Sequence, residues 1–123
     1  MDFKPNQFDI IAATVALHHV KSKEPVIRSI YRSLDDGGRF VIGEIDLDTT
    51  GKLNDPDRLR RILTYLSWEL PLVMKEGGIP AFERMYDNGK KHILNDGEYC
   101  IGFPRWAKLC RNAGFTEVEI IPL

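Results

Sequence analysis

The sequence has no excess of charge of either sign. Seventeen Lys and Arg stand against 18 Asp and Glu, a net charge of -1 over 123 residues. Without a basic surplus to neutralise phosphates, binding to nucleic acid through bulk charge is excluded. Long apolar runs are missing too. The longest, Ile10 to Leu17, is strand-sized and far short of the ~18–20 residues of a membrane span. Cysteine is scarce: Cys100 and Cys110 form no CxxC pair, so neither a disulfide framework nor a zinc or redox motif is present. Two reduced thiols fit a cytoplasmic protein. The first residues, MDFKPNQFD, are polar and acidic and read as neither a signal nor a transit peptide. There is no repeat and no low-complexity stretch.

What is present is a strand–helix–strand pattern. Phe8 to Ala16 (FDIIAATVA) is an almost unbroken apolar run of the kind buried on both faces in parallel sheets. Leu17-His18-His19-Val20 follows it. Ser22 reads as an N-cap, with Glu24 and Pro25 in the first turn. Val26, Ile27, Ile30, Tyr31 and Leu34 then mark one helical face. Asp35-Asp36-Gly37-Gly38 is turn chemistry, and Arg39 to Ile45 (RFVIGEI) reads as a second strand. This is a βαβ unit, expected to be parallel.

Beyond it, Asp55 and Pro56 form an N-cap and N1 pair. Leu59, Ile62, Leu63, Leu66, Leu70 and Val73 make a helical stripe that Pro71 should kink or end. A short helix is expected around Ala81–Tyr86 and irregular chain after it, with Lys90-Lys91-His92 as a solvated turn. Phe103-Pro104 opens another helix, with Trp106, Leu109, Cys110 and Ala113 on one face and Gly114 at C′. Glu117 to Ile121 reads as a closing strand. The chain is therefore α/β, a single domain of three stretches: a strand–helix–strand unit over 1–46, a helical insertion over 47–102 and a helix–strand over 103–123.

Three stretches carry a resemblance. FDIIAATVALHHV, RSLDDGGRFVIGEID and WAKLCRNAGF together resemble the carboxyl-terminal half of class I S-adenosylmethionine-dependent methyltransferases. The likeness is to the small-molecule, methyltransferase type 11 branch that includes quinone-biosynthesis enzymes. There a Phe-Asp pair opens the fourth strand, a helix ending Arg-x-Leu-Lys-Pro-Gly-Gly leads to the fifth, and an Ala-Gly-Phe helix end precedes the sixth. The resemblance implies a partial Rossmann-like fold made of those three strands. The Gly-x-Gly-x-Gly cofactor loop and the acidic ribose ligand of the family are absent from this sequence, and Asp35-Asp36 replaces its Lys-Pro. Met1 would then be an internal methionine of a longer parent. A fourth strand without its partner exposes an apolar edge, so the implied partner is a second copy of the chain or the missing amino-terminal half.

The resemblance also assigns site residues. Ala13, Thr14, Val15, Leu17 and His18, at the carboxyl end of the first strand where open α/β sheets bind ligands, would line S-adenosylmethionine once the missing half is supplied. They read equally as a core strand and its turn. His18 is the candidate base for a small-molecule methyl acceptor that must lose a proton, or a structural histidine of that turn. His18 and His19, as neighbours in extended chain, should point to opposite sides and not share a metal. No metal is called for. Glu44 and Asp46 should share a strand face near the acceptor, or simply be a solvated strand end. Tyr65 and Trp68 would suit an apolar acceptor, or pack a helical cap. The implied activity is methyl transfer, with this chain alone inactive. The alternative is a truncated, non-catalytic relative that self-associates through its strand edge. A hydrolase built on a metal held by His18, Glu44 and Asp46 is a third and remoter reading.

Overall fold

A computed structural model describes residues 3–122. Its elements run β1 (Phe8–Thr14), a 3₁₀ turn (Leu17–His19), α1 (Glu24–Ser33), β2 (Leu34–Gly43), α2 (Pro56–Leu94) and α3 (Phe103–Ala113). The chain divides into two compact units. One holds the residues up to Ile45 together with those from Gly102 onward; the other is Asp46–Ile101.

In the first unit β1 and β2 pair in parallel with α1 between them, the βαβ unit that the apolar runs predict. The register steps from Phe8↔Leu34 to Ile10↔Arg39. Asp35, Asp36, Gly37 and Gly38 therefore bulge out of the ladder while β1 advances two residues, as their turn chemistry requires. Ile27 and Ile30 of α1 are buried. Tyr31 meets the Phe115 ring edge-on at 5.0 Å, and Phe40 lies 5.8 Å from the same ring, so Phe115 closes the core over one sheet face. Gly114 sits at φ +119, and a Cβ there would come within 2.7 Å of the Tyr31 ring. A glycine is demanded twice over, by backbone and by space.

By the two-residue period, Ile10, Ala12 and Val41 point to the other sheet face. Ile10 is 63% and Val41 56% exposed. Among the described residues β1 pairs with β2 alone, which leaves one edge of β1 open. The closing strand expected at Glu117–Ile121 is not formed: this stretch carries no strand assignment, and Glu117 has φ +53. β2 keeps an open edge among the described residues, but Glu117 lies outside the extended region that a strand needs.

The second unit is dominated by α2, whose Asp55 carboxylate accepts the Asp57 N–H at 3.0 Å as an N-cap. Pro71 does not end this helix. The break comes at Gly78, at φ +69 and ψ -164, and Pro80 then stands near the start of a second helical segment, where a missing N–H costs nothing. The chain turns back there. Ile62 and Leu66 are buried, and a Cβ on Gly89 would meet the Leu66 side chain at 2.9 Å. Helix continues through Gly89 to Leu94, where the sequence suggested irregular chain. The NGKKH run is helical because Gly89 and His92 share the packed face while Lys90 and Lys91 stay outside.

At the turn of this hairpin's open end lies Arg58, fully buried. Its Nε donates to Thr49 O (2.8 Å), Nη1 to Ile93 O (2.8 Å), and Nη2 to His92 O (3.0 Å) and Asn95 Oδ1 (3.1 Å). The guanidinium thus satisfies carbonyls orphaned at the end of α2, where the helix dipole is negative. Asn95 caps the same end in the left-handed region. No helix among the described residues is long and apolar enough to cross a membrane.

Candidate active site

The carboxyl ends of β1 and β2 bring His18 and Glu44 together. After Thr14 the backbone of Val15 takes φ +49, rare for a β-branched residue, and its N–H donates to Gly43 O at 2.7 Å. This turns the chain out of the strand and into the 3₁₀ turn at Leu17–His19. The His18 N–H then donates to Glu44 Oε1 at 3.1 Å, and His18 Nδ1 faces Glu44 Oε2 at 2.9 Å. Both side chains are withdrawn from water, at 5% and 2% exposure. With Nδ1 donating to the carboxylate, the lone pair of the imidazole is on Nε2. A histidine oriented by a carboxylate at the carboxyl end of a parallel strand pair can act as a general base.

The other residues singled out from sequence are placed as follows. Ala13 is half-buried, Thr14 and Val15 are exposed, and Leu17 is buried. β2 ends at Gly43, so strand alternation no longer relates Glu44 to Asp46: the Glu44 side chain is buried, and Asp46 is exposed in the second unit. The expected shared face is thereby corrected. So is the opposed pair of histidines. In the 3₁₀ turn the His18 and His19 rings lie 4.1 Å apart, inclined at 42°, because the chain there is coiled rather than extended. Tyr65 is half-buried, and Trp68 is 74% exposed. Burial, with Glu69 and Cys100 adding negative charge nearby, pushes the Tyr65 phenol up to about 12.

A cluster in the second unit was missed. His92, read as part of a solvated turn, is 1% exposed. Its Nδ1 lies 3.7 Å from Cys100 Sγ, and its Nε2 lies 3.1 Å from Asn88 Oδ1. The signal available in the sequence was the spacing of Asn88 and His92, four residues apart and on one helical face with Gly89 between them.

Residues 1–42 match the family model described as Methyltransferase domain. Among curated proteins, a polyketide synthase-nonribosomal peptide synthetase of Aspergillus clavatus is 23% identical over 117 residues. The hybrid PKS-NRPS synthetase LUC5 of a Fusarium species is 29% identical over 118 residues. Each alignment covers 95% of this chain and 2% of the relative, so the chain spans about one-fiftieth of the length of these relatives. No solved structure matches. The family match covers the βαβ stretch that first carried the resemblance. Together with the two relatives it supports a class I S-adenosylmethionine-dependent methyltransferase domain.

Proposed function

We propose that this chain is the acceptor-side half of an S-adenosylmethionine-dependent methyltransferase, and that His18, held by Glu44, is its general base. The observation that carries the reading is the two-point contact between Glu44 and His18 at the strand ends. S-adenosylmethionine, when bound, supplies an electrophilic methyl group on a sulfonium sulfur. Thr14 and Val15, exposed where β1 ends, fit a lining role toward it. Ala13 and Leu17 belong more to the core. The missing glycine loop marks what another segment of polypeptide must bring.

In this reading His18 Nε2 would take a proton from the acceptor atom, freeing that atom's electron pair for the methyl group that bound S-adenosylmethionine would supply, with the neutral thioether as the leaving group that keeps the sulfur's electron pair. Glu44 then stabilises the imidazolium through Nδ1, and the rest of the rate comes from orientation. A base is needed when the acceptor is a carbon acid or a hydroxyl, and less so for an amine lone pair. The likeness to a polyketide synthase-nonribosomal peptide synthetase favours a carbon flanked by carbonyl groups. The 123-residue chain alone is proposed to be inactive.

Calorimetric titration of the chain with S-adenosylhomocysteine tests the division of labour. Heat of binding is expected only after a glycine-loop half is added; micromolar affinity of the chain alone would refute it. In the complemented protein, His18→Gln should cut turnover at saturating S-adenosylmethionine by about 10²-fold or more. Equal turnover in wild type and variant would remove His18 as the base.

A second reading has its own observation. The exposed Ile10 and Val41 and the open edge of β1 suit self-association of a non-catalytic relative, since two strands with a bare face are marginal alone. A strictly monomeric species in sedimentation at micromolar concentration counts against it.

A further inference from the structure

The second unit holds a nucleophile, a base and an orienting group in hydrogen-bonding sequence. Cys100 Sγ lies 3.7 Å from His92 Nδ1, and His92 Nε2 lies 3.1 Å from Asn88 Oδ1. The Asn88 amide in turn donates to Glu98 Oε1 at 3.2 Å. Asn88 fixes the orientation of the ring, so the face of His92 that meets the sulfur carries the nitrogen able to accept its proton when Nε2–H points at Asn88. Thiol, imidazole and side-chain carbonyl in this order are the arrangement by which cysteine nucleophiles are activated.

The surroundings of the thiol decide whether it can be reached. Cys100 is 1% exposed and Cys110 is 8% exposed, so static exposure ranks Cys110 first. The two are held differently. Cys100 lies beyond the end of α2, in a loop that includes Gly97 at φ +74 and is joined to Asp48 by an isolated bridge at Ile101. The Cys100 carbonyl accepts from the N–H and the hydroxyl of Thr49, each at 2.9 Å. Reaching Cys100 requires opening this loop, not moving a helix. Cys110 is on the packed face of α3, where exposure requires moving a helix. Burial also pushes the Cys110 thiol up, and Arg111 offsets this only in part.

We propose that Cys100 is a reactive thiol, primed by His92 and Asn88 for covalent modification by small uncharged electrophiles. The proton passes from sulfur to His92 Nδ1. The thiolate pair then forms the new S–C bond as the leaving group departs with its own pair. This site is separate from the methyl-transfer reading and stands or falls without it.

Iodoacetamide is the probe: the sulfur attacks its methylene carbon and iodide leaves. The folded chain is quenched at intervals, and each cysteine peptide is quantified by mass spectrometry. Cys100 is expected to be alkylated faster than Cys110 by about tenfold or more, against the order of exposure. His92→Gln is expected to slow Cys100 by about tenfold and leave Cys110 unchanged. Labelling of Cys110 before or together with Cys100 in the wild-type chain overturns the proposal, whether or not the variant folds. An unchanged Cys100 rate in a folded His92→Gln chain does the same. Asn88→Ala supplies a milder second variant, with a smaller slowing of Cys100 expected and no effect on Cys110; no slowing removes Asn88 from the site.

Discussion

Glu44 grips His18 at two points, one oxygen on the backbone N–H at 3.1 Å and the other on the ring Nδ1 at 2.9 Å. A single carboxylate therefore sets both the position of the turn and the tautomer of the ring. Glu44→Gln tests this without changing size. If the amide oxygen keeps the backbone N–H, its NH₂ group faces Nδ1, and the ring proton must move to Nε2. Nitrogen NMR of the labelled imidazole is expected to show this reversal. Glu44→Ala removes both acceptors and should cost about 1–3 kcal/mol of stability. An unchanged tautomer in the Gln variant would mean that Glu44 does not set it.

Arg58 is a buried cation whose guanidinium donates to four carbonyl oxygens. Replacing it strands several of them. Arg58→Met should destabilise the second unit by about 3 kcal/mol or more, seen as a lowered urea midpoint. Arg58→Lys should recover little, because one ammonium cannot reproduce a fork that reaches Thr49, His92, Ile93 and Asn95. A lysine variant as stable as the wild type would show that charge at the helix end, and not the fork, is what matters.

Asp35 sits in the bulge of β2 and is hydrogen-bonded to Asp9. Desolvation, that bond, and the charges of Asp9 and Asp36 all hold its carboxyl above the usual range. A raised acid favours the fold where it is protonated, and this contribution is lost as pH rises through its folded value. Asp35→Asn should therefore raise the melting temperature at neutral pH and have less effect in acid. A variant less stable at neutral pH would contradict this.

The strand–helix–strand unit was legible because its signals are local: two apolar runs, a helical stripe and a Gly-Gly turn. His18 was legible as a strand-end residue. Its pairing with Glu44 was only half legible, since the alternation that tied Glu44 to Asp46 stops at Gly43, and a residue past a strand end can turn its side chain inward. His92 was misread because Lys90 and Lys91 beside it announce solvent. Helical geometry puts it a third of a turn round, on the face of Asn88 and Gly89. The strand at Glu117–Ile121 failed at the backbone: Glu117 takes φ +53, outside the extended region, and the stretch leaves the open edge of β2 unpaired among the described residues.

Tyr65 gives the unit an alkaline limit. Its phenol, ordinarily at 10.0, is raised to about 12 by burial first and then by Glu69 and Cys100. The folded state keeps the proton longer than the unfolded state does. The contribution is complete below pH 10 and disappears as pH climbs toward 12. It amounts to at most about 2 kcal/mol, less because the ring is only half-buried. Tyr65→Phe should flatten the fall in urea midpoint across that window. A slope equal to that of the wild type would assign the alkaline loss to other groups.

The break in α2 falls at Gly78 and not at Pro71, and the two residues make opposite predictions. Gly78 occupies φ +69 with ψ -164, a region that is essentially glycine's alone. Gly78→Ala should cost about 1–3 kcal/mol, although a Cβ there has only Pro80 Cδ at 3.9 Å for company. Strain of the backbone, and no clash, is the cause. Pro71 stands inside a continuous helix, where it denies Ser67 an amide partner. Pro71→Ala should stabilise the unit by up to about 3 kcal/mol. Both changes are read from denaturant midpoints of the intact chain. If Pro71→Ala destabilises it instead, the proline is shaping the helix and the hinge does not reside in Gly78 alone.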